Sequence, residues 1–315
     1  MITFLSSPKP FKGESISIQI KAIKSWLSLD PEIEVILYGN SEGIEKVAFE
    51  LGIQNVPDIE TNEFGTPLFG AIAEHAASHA RYDHQIYVNC DILFTPELLL
   101  SVKKIPFSQF LIIGQRVDLA EEVDWDTEMS EWHDQFVSLV DTGKISLHPA
   151  GGSDYFGFRR GLWQELPPVA IGRGGYDNAL ISFCREKRVP VIDATLSVLA
   201  LHQFHDYEHI IGGTKSVFKG IEAERNNSIY KGPFKLTQND ATWRLTPNEL
   251  TRDWGRRGDW LSAMYTCFKY DISAPLCANS INLFRKVSRR MGFSIPDRYT
   301  ISDICAAFCE SSDLL

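Results

Sequence analysis

Residues 85 to 94, Gln-Ile-Tyr-Val-Asn-Cys-Asp-Ile-Leu-Phe, form an apolar run that breaks on Asn89-Cys90-Asp91 and then resumes. Burying an unpaired carboxylate costs several kcal/mol, so Asp91 requires either a structural partner or a cation. Two further clusters carry chemistry. Gly174-Gly175 precede Tyr176-Asp177-Asn178, and the sequence then continues with helical spacing through Cys184. A carboxylate there suits the free N–H groups of a helix start, and it equally suits a general base that backbone glycines allow a ligand to approach. Downstream, the apolar run Val198–Leu201 is followed by His202, His205, Asp206 and His209, a set able to ligate a metal.

The elements that must position these groups alternate in type. Ile2–Leu5 reads as a strand, and residues 14 to 29 read as a helix with Ile16, Ile20, Ile23 and Leu27 on one face. The Glu34–Tyr38 strand, a helix from an N-cap at Ser41 to Gly52, and a weak strand near Val56 follow. A helix over residues 67 to 80 precedes the strand that ends at Asn89. Thr95-Pro96-Glu97 opens another helix, and residues 110 to 119 form a further buried strand. This alternation predicts an α/β fold with a doubly wound, mostly parallel sheet. Ligands bind such sheets at the carboxyl ends of strands, which is where Asn89-Cys90-Asp91 falls. Neither G-x-G-x-x-G nor G-x-x-x-x-G-K-[ST] is present, which counts against dinucleotide and P-loop enzymes. Residues 118 to 150 are rich in acids and aromatics and read as a helical insertion, a lid or an acceptor region.

The chain has 315 residues and a net charge of −10, which argues against a nucleic-acid partner. Residues 252 to 290 depart from that balance, with eight Lys or Arg against three Asp. The six cysteines include no C-x-x-C pair, and the start lacks a signal-peptide pattern, so a reduced, cytoplasmic protein is expected.

Taken in order, the segments "VNCDILF", "GGSDYFGFRRGLW", "GRGGYDNALI" and "LHQFHDY" resemble nucleotide-sugar-dependent glycosyltransferases of the GT-A fold. The resemblance covers residues 1 to 207 and is nearest to inverting members such as the β-1,4-galactosyltransferases. It implies a transferase that moves a sugar from a nucleotide donor, UDP-linked in the common case, to a glycan or lipid-linked acceptor. It further implies that Asp91 binds a metal, Mn2+ or Mg2+, as the last residue of a D-x-D motif in which Asn89 replaces the first aspartate. Asp177 matches the base, with Tyr176 in place of a preceding acid. His202 or His205 would complete the metal site, and His202 is favoured by its place directly after the apolar run. Gly151 and Gly152 would let the donor approach the backbone, and Asp154 would accept bonds from sugar hydroxyls. Arg116 and Arg173 are candidates for a phosphate or an acid, and Trp125, Trp132, Tyr155 and Trp163 for stacking on a sugar.

These expectations divide the chain at 209. Residues 1 to 115 form a nucleotide-binding half and 118 to 209 an acceptor half. Residues 210 to 315 form a polar connection and a helical C-terminal extension, whose basic stretch 280 to 293 offers peripheral membrane contact. Two alternatives remain at this level. One is a sugar-1-phosphate nucleotidyltransferase, though Lys9, Lys12 and the single Gly13 poorly match its glycine-rich loop. The other is a binding module without catalysis.

Overall fold

The computed structural model describes residues 1–121, 123–125, 132–205, 219–229, 236–253 and 298–309. The chain begins with β1 (Ile2–Ser6), α1 (Ser15–Leu27), β2 (Glu34–Tyr38), α2 (Ile44–Leu51), β3 (Gln54–Val56), α3 (Phe69–His79) and β4 (His84–Val88). It continues through β5 (Ile92–Phe94), α4 (Glu97–Lys103), β6 (Leu111–Ile113), β7 (Val117–Leu119), α5 (Trp132–Asp141), β8 (Ile145–Leu147) and β9 (Tyr155–Arg159). The last elements are α6 (Tyr176–Glu186), β10 (Val191–Asp193), β11 (Ala200–His202), α7 (Ile221–Ile229), β12 (Trp243–Leu245), β13 (Leu250–Arg252) and α8 (Ile301–Cys309).

Nine strands form one sheet in the order β13-β12-β10-β6-β9-β4-β1-β2-β3. β9 runs against β4 and β6, and β13 against β12, while the other pairings are parallel. The doubly wound, mostly parallel sheet expected from the sequence is therefore present. Both of its faces are buried, which explains the near-continuous apolar strands. Phe4, Ile86, Val88 and Ile112 face one core, which includes Trp26 of α1 and Phe136 of α5. Leu5, Tyr87, Leu111 and Ile113 face the other, beside Phe69 of α3 and Leu180 of α6.

Local expectations were corrected in three places. Helix α1 buries Gln19, Ala22, Ile23 and Trp26, while Ile16 is exposed. Trp26 decides that face, because its ring stacks on Phe4 at 5.4 Å and its Nε1 donates to the Ile92 carbonyl at 2.8 Å. Residues 118 to 150 contain α5, but β7 and β8 flank it and join a second sheet of order β5-β11-β7-β8. The polar connection that begins at residue 210 supplies α7, β12 and β13, and β12 pairs in parallel with β10. The basic stretch 280 to 293 and the membrane contact expected of it lie outside the described residues. No described helix is long and apolar enough to cross a membrane.

The C-terminal segment is tied to the main sheet by charge. Arg298 Nη1 lies 3.1 Å from Asp193 Oδ2, where their side chains are only 7% and 2% exposed, and its Nη2 pairs with Asp253. Arg298→Ala strips a buried carboxylate of its ion-pair partner, which costs about 3–5 kcal/mol. Chemical denaturation should report a loss of that size, with the midpoint falling and the slope unchanged.

Candidate active site

The second sheet explains how distant residues meet. β4 ends in the large sheet and β5 begins in the small one, so Asn89-Cys90-Asp91 is the passage between them. β5 is antiparallel to β11 with Ile92 opposite His202, and β11 is parallel to β7 with His202 opposite Asp118. That register sets Asp91, His202 and Asp118 side by side. On the other edge, Val88 pairs with Tyr155 of β9, so the Asn89 N–H donates to the Asp154 carbonyl at 2.9 Å.

Asp91, His202 and His205 each offer one ligand atom, all within 4.8 Å of one another. His205 Nε2 is 3.0 Å from Asp91 Oδ2, and His202 Nε2 is 3.8 Å from it. Lys9 Nζ lies 3.9 Å from the same oxygen. Burial pushes the Asp91 carboxyl up, but the His205 hydrogen bond, His202 and Lys9 more than offset this and hold it well below the usual range. Its Oδ1 is buried and has no hydrogen-bond partner among the described residues. An orphaned carboxylate oxygen beside two imidazoles fits a divalent cation. Both histidines named by the sequence are thus brought to Asp91. Asp206 and His209 lie outside the described residues.

Asn89, Asp154 and Arg116 form a separate polar lattice beneath this set. Asn89 Nδ2 donates to Asp154 Oδ1 at 2.8 Å, and Arg116 Nη1 reaches the same oxygen at 2.8 Å. Arg116 Nε donates to Asp118 Oδ1, also at 2.8 Å. Burial pulls the guanidinium pKa down, but the two carboxylates reverse this and leave it raised. Arg116 borders the cleft and is paired within the fold. Its charge serves two carboxylates of the fold, and only 11% of its side chain is exposed. Arg173 is likewise engaged, by Glu222 at 2.6 Å and Thr66 at 3.1 Å.

Asp177 lies in the first turn of helix α6, which Tyr176 opens directly after Gly175. At φ +87° Gly175 is left-handed, and a Cβ there would stand 2.6 Å from Asn227 Oδ1, so only glycine fits. The Asp177 carboxylate accepts from the N–H groups of Ser153 at 3.2 Å and Asn178 at 2.8 Å. Burial outweighs both bonds, and the nearby Asp154 adds to it, so the carboxyl is pushed up to about 6. The helix-start reading and the base reading thus describe one residue, which is held by backbone N–H groups yet poised to titrate. Gly152 borders it, since a Cβ on Gly152 would be 3.8 Å from Asp177 Oδ2, while Gly151 is exposed at the rim. Tyr176 is buried, and its hydroxyl donates to the Ser153 carbonyl at 3.3 Å. It fixes the turn beside Asp177 and borders the cleft.

All of these groups border one cleft of about 1230 Å³ at the carboxyl ends of β1, β2, β4 and β6. Trp125, Trp132, Tyr155 and Trp163 do not line it, because each is buried in a core. Their size and apolar surface, which suggested stacking, are what the interior takes up. Residues that the sequence did not single out include Asp118, His148 and Gln238. Gln238 Nε2 lies 2.6 to 2.9 Å from the carbonyls of Gly114 and Gly152 and from Ser153 Oγ, which its two N–H groups share, and this anchors the turn next to Asp177. Its only sequence signal is a polar residue in a polar stretch.

No protein-family model matches the chain, and no curated protein sequence does. Among solved structures, it is similar to glucosyl-3-phosphoglycerate synthase from Mycobacterium tuberculosis in complex with Mn2+, UDP-glucose and phosphoglyceric acid. That alignment is 14% identical, covers 73% of this chain and 78% of the other, and has a TM-score of 0.40. A structure of a mycobacterial protein aligns over 73% of both chains at 16% identity and a TM-score of 0.41. The inositol-1-phosphate CTP transferase from T. maritima aligns over 73% of this chain and 96% of its own at 12% identity, with a TM-score of 0.37.

Proposed function

We propose that the chain is a nucleotide-diphospho-sugar transferase that moves a glycosyl group onto an acceptor hydroxyl with inversion. One observation carries this reading: a carboxylate poised near neutrality, Asp177, and an Asp-His-His cation set border the same cleft. Asp177 takes the proton of the acceptor hydroxyl as that oxygen attacks the sugar's C1 from the face opposite the leaving group. The C1–oxygen bond breaks, and the nucleoside diphosphate departs with its electron pair. Asp91, His202 and His205 would hold a divalent cation, which offsets the charge gathering on the leaving phosphate. Lys9, beside Asp91, adds a positive charge at that end of the cleft. Ser153, Asn178 and Gln238 keep Asp177 and its turn in register, so its basicity is set before substrate arrives.

The donor is a nucleoside-diphosphate sugar, UDP-linked by the resemblance, and the acceptor a glycan or lipid-linked sugar. A panel of nucleotide sugars, assayed with and without Mn2+, tests the reaction, and the product's anomeric configuration tests inversion. Donor binding without turnover would leave a binding module. Pyrophosphate release from a nucleoside triphosphate and a sugar phosphate would mark a nucleotidyltransferase.

A further inference from the structure

We propose that Arg173 recognises the acceptor and that Glu222 is its positioning residue. Their pairing makes the subsite electrically neutral, so it takes an uncharged, hydroxyl-bearing sugar and turns away an anionic one. This rests on the glycosyl transfer proposed above and goes further, to the class of acceptor.

Arg173 borders the cleft at the turn that leads to Asp177, where the Tyr176 N–H donates to the Arg173 carbonyl at 3.2 Å. Its Nε donates to Glu222 Oε2 at 2.6 Å, Nη2 to Thr66 Oγ1 at 3.1 Å and Nη1 to the Gly172 carbonyl at 3.3 Å. Each terminal nitrogen keeps a further N–H with which to donate to a sugar hydroxyl. Glu222 is more than a surface partner. Its side chain is only 14% exposed, and its other oxygen accepts from Asn62 Nδ2 at 2.7 Å. Burial pushes its carboxyl up, but bonds from Arg173, Asn62 and Thr66 more than reverse this, so it stays ionised beside the arginine. Helix α7, which carries Glu222, is docked on the same segment. Its Asn226 is fully buried, accepts from the Ala170 N–H at 3.0 Å and donates to the Ala170 carbonyl at 2.9 Å.

The surrounding charge favours the same class. Arg116 and His148, which also border the cleft, are paired with Asp154 and Asp118. An anionic acceptor would meet the carboxylates of Asp154 and Asp177 and, among the described residues, no uncommitted arginine. Hydroxyls need only the donors and acceptors already in place.

The test uses the full chain with Mn2+ and the nucleotide sugar that the donor panel shows it to turn over. Acceptors are methyl glucoside, methyl galactoside and methyl mannoside, each paired with its uronate, which carries a carboxylate in place of the hydroxymethyl group. In wild type the neutral member of an accepted pair should exceed its uronate by about 10-fold or more in kcat/KM. Glu222→Gln leaves Arg173 with a net positive charge and should cut that ratio by about 10-fold, through the KM of the uronate rather than kcat. Glu222→Asp should keep the neutral preference. Arg173→Ala should raise the KM of the neutral acceptor by about 10-fold and leave donor KM as in wild type. A wild type that prefers uronates, a ratio unchanged in Glu222→Gln, or an unchanged acceptor KM in Arg173→Ala overturns the subsite. So does donor turnover with transfer to water alone. Absence of turnover with every nucleotide sugar defeats the transferase reading instead, and the subsite falls with it.

Discussion

Asp177→Asn should lower transfer by about 10²- to 10⁴-fold, the usual contribution of a positioned general base, while donor affinity stays within about twofold. Asparagine keeps the volume, but its one oxygen can accept from only one of the Ser153 and Asn178 N–H groups, which bond different oxygens of the carboxylate, so the variant carries a pH-independent cost at the turn. What is lost is the ability to take a proton. The pH profile gives a second readout. Burial pushes the Asp177 carboxyl up to about 6, so wild-type turnover should rise as pH passes through that value and level off above it. The residual activity of Asp177→Asn should lack this limb.

The same residue links chemistry to stability. In the unfolded chain an aspartate titrates near about 3.9. Its native value is higher, so the folded state binds this proton more tightly than the unfolded state does. Stability from this group is fully present below the unfolded value, falls as pH rises through the native one, and remains low above it. The difference is on the order of 2–3 kcal/mol. The Asp177→Asn variant, with a neutral amide in place of the carboxyl, would carry no such penalty. Thermal melts of the two proteins should therefore diverge in the variant's favour between pH 4 and pH 7, and a constant difference over that range would contradict the buried, raised carboxylate. An active-site group that costs stability at working pH is the usual signature of catalytic demand.

Residue type carried far in this sequence, and pairing did not. Asp91, Asp177, His202 and His205 were legible because glycines or apolar runs set them off. Three of them then met through strands that periodicity alone reveals poorly. β5, β7 and β11 are three residues each, too short for alternation to register, and their pairing joins segments up to about a hundred residues apart. Asp118 was invisible for the same reason, since its value comes only from lying opposite His202. Asn89 read as a donor-binding residue standing where the first acid of a D-x-D would stand, and its bond to Asp154 became visible only when β9 proved antiparallel to β4. Arg116 shows the reverse case. A lone arginine after a buried strand suggests a phosphate, but two carboxylates that arrive through tertiary pairing consume its charge. The expected face of α1 failed through Trp26, whose hydrogen bond to Ile92 outweighed the isoleucine stripe.

Asp91→Ala should separate metal from donor most sharply. With Mn2+ present, nucleoside-diphosphate affinity should fall by about 100-fold, toward the value wild type shows in chelator, because the ligand set loses its one carboxylate among the described residues. In chelator the order should reverse. The cleft presents Asp91, Asp154 and Asp177 to a diphosphate, and Arg116 is already committed to Asp154 and Asp118. Removing Asp91 takes a buried negative charge from the phosphate end and releases Lys9 from its 3.9 Å pairing, so the variant should bind the nucleotide at least as well as wild type. Isothermal titration in the two buffers gives both arms. A merely structural Asp91 would weaken binding equally in each. A site that needs no cation would show an Mn2+-independent affinity in wild type. The crossing of the two curves belongs to a carboxylate whose negative charge repels the donor until a cation lies between them.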